Sequence, residues 1–163
     1  MSDLAVLGEG QLSSEALKAA NVNPITGLAT DYLNHFNEAA MLLGMAQDMP
    51  ELAEDLLDWH PVSYEQHFVN TKYTGCETVI AAWNAAPHAL KAHFETLIGG
   101  LDHALITAQS AIRDGQTEQA IEIKLTDIDP LLAAARACVN GVDETQDMSS
   151  GAQDQAQIDA LFD

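Results

Sequence analysis

The sequence predicts an all-α fold: a helical bundle, then an acidic flexible linker and a C-terminal recognition helix. The 163 residues are 47% hydrophobic but only 6% aromatic, a composition typical of packed helices. Apolar residues recur at spacings of three and four along most of the chain, which is the period of one helix face. Prolines and capping residues divide these stretches where helices commonly begin.

Residues 1–22 are polar and weakly patterned, so we predict a loose N-terminal arm there, with a short helix over residues 13–20 as one possibility. Asn23-Pro24 combines an N-cap residue with a first-turn proline, which predicts that the bundle of residues 23–141 opens with a helix reaching about residue 47. The predicted buried face of this helix consists of Leu28, Tyr32, Phe36, Ala40 and Leu43. Its last turns are apolar nearly all round, so we also expect burial of Met41, Leu42 and Met45.

Further helix starts follow in the middle of the chain. Pro50 begins a second helix, and Pro61 ends it because the residue before a proline avoids helical geometry. Two capping boxes, each a serine or threonine followed three residues later by Gln or Glu, predict short helices at about 64–70 and 76–85.

Pro87 opens the longest predicted helix, over residues 87–113. Its leucines and other apolar residues repeat at spacings of three and four, a seam that suits a bundle or a homodimer. Gly99-Gly100 weakens this helix in mid-span and indicates a bend or a close crossing.

The rest of the bundle is less regular. A helix near residues 117–126 is one interpretation, but Ile121, Ile123 and Leu125 also alternate as in a strand. Asp129-Pro130 starts a last helix, which Gly141 ends. Residues 142–153 lose the periodic apolar pattern and gain acidic, amide, Ser and Gly residues, which predicts a flexible linker.

The segment 154–163 has the pattern of a short amphipathic helix. Asp154 suits its N-cap and Gln157 the reciprocal position three residues later. The apolar residues that follow, at spacings of i, i+3 and i+4, share one face. A helix this short is marginal in water, so we expect it to form in the groove of a partner. Its predicted partner-binding residues are Asp154, Gln157, Ile158, Asp159, Leu161 and Phe162.

The same residues resemble a known recognition peptide. Gln157 to Phe162 reads Gln-Ile-Asp-Ala-Leu-Phe after a Gln-Asp-Gln lead, and it resembles the CheY-binding peptide of the flagellar motor switch protein FliM. A similar peptide ends the chemotaxis phosphatase CheZ. The resemblance implies a chemotaxis or flagellar auxiliary protein that binds a CheY-like receiver domain, as a phosphatase, a sink or an adaptor.

Two other classes stay open. A sliding-clamp-binding peptide has a similar pattern, although Ala160 interrupts its spacing. A metal-binding helical bundle is the third interpretation.

Asp31 and Asn34 are the candidate catalytic residues, one turn apart on the first predicted helix. They resemble the acid-x-x-Asn pairs of several response-regulator phosphatases. The resemblance implies that Asn34 orients a water and that Asp31 pairs with a lysine of the receiver. Because the receiver supplies its own phosphoaspartate and Mg²⁺, we expect no cofactor held by this chain.

The histidines give weaker signals. His35 and Glu38 have metal-binding residue types, but di-iron bundles need Glu-x-x-His, and no histidine here has a Glu three residues before it. We therefore predict no metal site. His88 resembles the histidine of phosphotransfer domains, yet Pro87 places it in a first helical turn, which favours an ordinary surface residue.

Charge and cysteine content limit the classes of partner and the cellular location that we expect. Twenty-five acidic against six basic residues give a net charge of −19, which disfavours nucleic acid and anionic membranes. Cys76 and Cys138 are isolated and fit reduced thiols. The sequence shows neither a signal-peptide pattern nor an apolar run of membrane-spanning length. We expect a cytoplasmic protein.

Overall fold

The computed structural model describes residues 6–141 and shows a helical bundle, with no strand among those residues. The predicted all-α class is thereby confirmed. The predicted linker and recognition helix lie outside the described residues. In chain order the helices are α1 Ser14–Ala19, α2 Asn34–Met45, α3 Glu51–Leu56, α4 Tyr64–Asn70, α5 Cys76–Ala85, α6 His88–Arg113, α7 Thr117–Ile123 and α8 Asp129–Val139.

The predicted ranges of α4 and α5 are confirmed. The Ser63 hydroxyl caps α4 by accepting a hydrogen bond from the Gln66 amide at 3.1 Å. The second capping box is wrong, because the N-cap of α5 is Gly75 and no side chain caps this helix. The helix after Pro50 is shorter than expected, because α3 ends at Leu56. None of the helices within residues 6–141 has the length and apolar character needed to cross a membrane.

Helix α6 is the element against which α3, α7 and α8 pack. The seam predicted along it is largely buried inside the described body, with Phe94, Leu101 and Leu105 all at 0% exposure. α6 continues through both glycines, and a Cβ added at Gly100 would lie 3.2 Å from Leu131 Cδ1. Gly100 therefore marks a close crossing of α6 and α8. A homodimer through α6 stays a prediction that would have to use the exposed side of this helix.

The predicted helix start at Asn23 is wrong. The Asn23 side chain does cap the following amides, accepting from Ile25 N at 2.8 Å and Thr26 N at 3.0 Å. The chain then turns at Gly27, whose φ of 76° is left-handed and ends any helix there. The helical region begins only with a 3-10 turn, Thr30–Leu33, which leads directly into α2. The Asn side chain thus stabilises a turn that the helix pattern alone cannot distinguish from an N-cap.

The predicted burial at the end of α2 is wrong for Met41 and Met45, whereas Leu42 is partly buried against the core. Met41 is 55% exposed and Met45 37% exposed, whereas Phe36 and Leu43 on the opposite side are at 0%. The side of α2 that carries Phe36 and Leu43 is the one that enters the core of the described body. The predicted inward face of α2 is confirmed.

The N-terminal segment is part of the folded body over its described residues. Leu12, Leu17 and Val22 are 0–2% exposed, and α1 packs against α5. The Ser13 hydroxyl caps α1 by accepting from Ala16 N at 3.2 Å. The predicted loose arm is therefore corrected for residues 6–22, because burial of these apolar side chains offsets the cost of ordering a polar segment.

The ambiguous stretch after Gly115 is helical. α7 continues into a π-helical turn, Lys124–Ile128, which joins α8 without a break. Lys124 Nζ lies 2.9 Å from Asp129 Oδ2 across this turn. The strand interpretation of this stretch is therefore wrong. No strand is present among the described residues, so a strand here would have no partner.

Candidate functional site

The predicted pair of Asp31 and Asn34 meets at the junction of the 3-10 turn and α2. Asn34 Nδ2 donates to Asp31 Oδ1 at 3.3 Å. The other carboxylate oxygen, Asp31 Oδ2, accepts from His67 Nε2 on α4 at 3.0 Å. The His67 side chain is 8% exposed and that of Asp31 31% exposed. The structure therefore brings the predicted pair together and adds a buried histidine that orients the acid.

Two further residues extend this polar cluster along the surface. Asn37 Nδ2 reaches Asn34 Oδ1 at 3.5 Å, and Arg136 Nη2 on α8 donates to Asn37 Oδ1 at 3.4 Å. These bonds are long, so they position the side chains without holding them rigidly. The cluster joins α4, the 3-10 turn, α2 and α8.

The cluster borders an open polar groove of about 620 Å³, which we call the Asn34 groove. Lys18 and Arg136 both line it, although the whole chain has only six basic residues. The remaining polar lining is mostly amide, which can both donate and accept hydrogen bonds. The polar residues of the groove are Lys18, Asn21, Asn23, Thr30, Asp31, Asn34, Asn37, Tyr73, Arg136 and Asn140.

The sequence gives one signal for His67 that pattern reading missed. Tyr64, His67 and Phe68 lie at i, i+3 and i+4 on α4, and all three are buried. A histidine on a buried helix face needs a hydrogen-bond partner, and here that partner is Asp31. Lys18 and Arg136 carry no such signal, because only the packing of α1 and α8 brings them to one groove.

His35 has a packing role, and its neighbour Glu38 is exposed. The His35 ring stacks on Trp59, with centroids 4.8 Å apart, and its Nε2 donates to the His60 carbonyl at 2.6 Å. Burial lowers the pKa of His35 below its ordinary value, and the hydrogen bond to the His60 carbonyl opposes part of this shift.

The metal and phosphotransfer interpretations gain no support from the described residues. No group of three or more His, Cys, Asp or Glu side chains within residues 6–141 could hold a metal ion. His88 is exposed at the start of α6, directly after Pro87, as predicted. The six predicted partner-binding residues, from Asp154 to Phe162, lie outside the described residues.

A second cavity of about 470 Å³ lies between the segment 61–65 and the middle of α6. We call it the Asp102 cleft. Its aromatic walls come from four well-buried residues, and three carboxylates complete the lining. The aromatic residues are Tyr32, Tyr64, Trp83 and Phe94, and the acidic residues are Glu65, Glu95 and Asp102.

The Asp102 carboxyl is incompletely hydrogen-bonded in the described chain. Its Oδ1 atom is buried without a hydrogen-bond partner. Burial raises the pKa of the Asp102 carboxyl to about 6, from 3.8 for an exposed aspartate. Between these two pH values the folded state keeps a proton that the unfolded chain has lost. The native state is therefore progressively destabilised as the pH rises from about 4 through about 6.

We expect Asp102→Asn to melt at a higher temperature than wild type at pH 8. The amide removes the cost of a buried charge, and partial exposure of the site limits the gain to about 2–4 °C. The difference should shrink toward zero at pH 4, where the wild-type carboxyl is protonated. Circular-dichroism melting across this pH range is the measurement, with Asp58→Asn as an exposed control that removes the same charge. An equal gain at pH 4 and pH 8 would contradict the assignment.

Comparison with protein-family models, with curated proteins and with solved structures finds no match for this chain.

Proposed function

We propose that this protein captures a CheY-like receiver domain through residues 154–163 and promotes hydrolysis of the receiver's phosphoaspartate at the Asn34 groove. The capture step is supported by the pattern of Gln157 to Phe162, which predicts a helix with one apolar face. The polar cluster around Asn34 carries the hydrolysis step.

The position of the groove relative to the linker supports combining these two steps. Val139 and Asn140, at the end of α8, line the Asn34 groove, and residue 142 begins the predicted linker. The Thr26 hydroxyl donates to the Val139 carbonyl at 2.7 Å and fixes this end of the helix. A flexible linker of about a dozen residues has a root-mean-square span of roughly 20 Å. A receiver held by the tail would thus stay beside the groove at roughly millimolar effective concentration.

The charges of the groove favour the approach of a phosphorylated surface. The chain carries a net charge of −19, so most of its surface repels phosphate. Lys18 and Arg136 are two of its six basic residues and line the same groove as Asn34. Arg136 and Lys18 can attract the phosphoryl oxygens there, which a groove lined only by carboxylates could not do.

Hydrolysis of the receiver's phosphoaspartate requires only two groups from this protein, Asn34 and Asp31. A water attacks the phosphorus in line with its bond to the aspartyl oxygen, that bond breaks, and inorganic phosphate and a free carboxylate result. The exposed Asn34 amide orients the water. Asp31 positions Asn34, and because a carboxylate accepts up to about four hydrogen bonds, it can also pair with a lysine of the receiver. Mg²⁺ on the receiver neutralises the developing charge.

Phosphoryl loss from a phosphorylated CheY-like protein tests this proposal. We expect Asn34→Ala to reduce the rate at saturation at least about tenfold, because removing one positioned hydrogen-bonding side chain from an active site commonly costs about 10²–10³-fold. Asn84→Ala is the matched control, since Asn84 is an exposed amide on a different helix. Removing residues 152–163 should instead raise the receiver concentration needed and leave the saturated rate closer to wild type.

Two outcomes would contradict the hydrolysis step. Wild type that accelerates phosphoryl loss no more than Asn34→Ala would make the cluster an ordinary solvated surface. Equal losses in Asn34→Ala and Asn84→Ala would remove the special role of Asn34. The protein would then be an adaptor or a sink for the receiver.

A further inference from the structure

The Asp102 cleft has the size and lining of a small-molecule site and takes no part in the function proposed above. Its volume of about 470 Å³ falls within the usual range for ligand pockets. One wall is the loop and first turn of α4 and the other is α6. Four aromatic side chains give it a largely apolar interior.

The charged residues that line the cleft are all acidic, and Lys91 lies beside the Trp83 wall. Glu65 and Glu95 are exposed at its rim, and Asp102 is half-buried within it. None of the described residues that line it is Lys, Arg or His. A cavity with this lining repels anions and favours a positively charged ligand.

Asp102 has an unused hydrogen-bonding atom at this position. Its buried Oδ1 accepts no hydrogen bond from the described chain. The neighbouring Tyr32 hydroxyl is committed elsewhere, since it donates to the Val62 carbonyl at 2.7 Å. A carboxylate held in this way is costly, and an ammonium group in the cleft that Asp102 lines would offset part of that cost through its charge.

The aromatic cluster already stabilises one ammonium group. Lys91 Nζ lies 4.7 Å from the centroid of the Trp83 ring and donates to the Trp83 carbonyl at 3.3 Å. Tyr64 stacks against Trp83 with ring centroids 4.2 Å apart, so the facing surfaces of these two rings cover each other. The Lys91 contact shows that the Trp83 ring accepts a cation beside the cleft, and such an attraction grows when the cation loses water.

We propose that the Asp102 cleft binds a small organic cation, whose ammonium group pairs with Asp102 while its apolar body lies against the aromatic walls. A metal ion fits the site less well, because no described group of three or more His, Cys, Asp or Glu side chains could hold one. The proposal is independent of receiver binding.

Isothermal titration of the full-length protein with three probes tests it. The probes are phenethylamine, the quaternary benzyltrimethylammonium ion, and neutral 2-phenylethanol as the control of similar shape. We expect the protein to bind at least one of the two cations. Its affinity for 2-phenylethanol should be at least about tenfold weaker than for that cation. Preference for phenethylamine would indicate hydrogen bonding to Asp102, and preference for benzyltrimethylammonium would indicate that the aromatic surface dominates.

Variants connect this binding to the cleft. Asp102→Asn should weaken cation binding at least about tenfold. Asp58 is an exposed aspartate outside the cleft, so Asp58→Asn should change the affinity for the cation by no more than about twofold. Glu95→Gln, at the rim, is a second variant and should give a smaller loss than Asp102→Asn. No binding of either cation at millimolar concentration, equal binding of 2-phenylethanol, or unchanged affinity in Asp102→Asn would overturn the proposal.

Discussion

The Leu161→Ala and Phe162→Ala variants are each expected to bind a CheY-like receiver domain at least about tenfold more weakly than wild type. Full burial of one such side chain contributes about 1.5–3 kcal/mol, and 1.4 kcal/mol corresponds to a tenfold change in affinity. Ile158, Leu161 and Phe162 are the large apolar residues of the predicted recognition helix, so its affinity depends on few contacts. Calorimetry with the full chain measures the effect.

Gln155→Ala is the matched control for these variants. Gln155 precedes the apolar residues in the sequence and is predicted to lie on the polar side of the helix. The affinity of Gln155→Ala for the receiver should therefore stay close to that of wild type. Unchanged affinity in both apolar variants would contradict the recognition helix. Nuclear magnetic resonance of the bound segment separates the alternatives, because the CheY-binding peptide binds as a helix and a sliding-clamp peptide binds extended. An extended bound form would favour the sliding-clamp interpretation.

Phe36→Ala is expected to lower the free energy of unfolding by about 3–5 kcal/mol, a large part of the 5–15 kcal/mol typical of a domain. The Phe36 side chain is at 0% exposure and contacts Tyr32 and Trp59, with ring centroids at 5.3 and 5.9 Å. Removal of the ring would leave a cavity beside the 3-10 turn that carries Asp31. Denaturant unfolding measures the loss.

Met41→Ala on the same helix is the control for Phe36→Ala. Met41 was predicted to be buried, but it is 55% exposed, so its truncation should change the free energy of unfolding by no more than about 0.5 kcal/mol. A large loss in Met41→Ala, comparable with that of Phe36→Ala, would contradict the exposed side assigned to α2.

The candidate site shows where sequence reasoning succeeds and where it fails. Asp31 and Asn34 are three residues apart in the sequence, and residues at this spacing lie next to each other on a helical turn. Their contact could therefore be predicted from the sequence. His67 completes the pair from another helix, and the partner of a buried histidine is decided by packing. The Asp102 cleft is equally non-local, because its lining comes from the 3-10 turn, α4, α5 and α6.

The sequence by itself determined the all-α class, the bounds of α4, α5 and α6, and the inward face of α2. These features depend on local capping and on apolar periodicity, which act over a few residues. Only the tertiary structure decided that Asn23 begins a turn, that residues 6–22 join the core, and that Met41 faces solvent. The physical reason is that the last two outcomes depend on which other surface covers an apolar side chain, and that the turn after Asn23 is held by the hydrogen bond from Thr26 to the Val139 carbonyl. That choice is made by distant elements, and no local pattern records it.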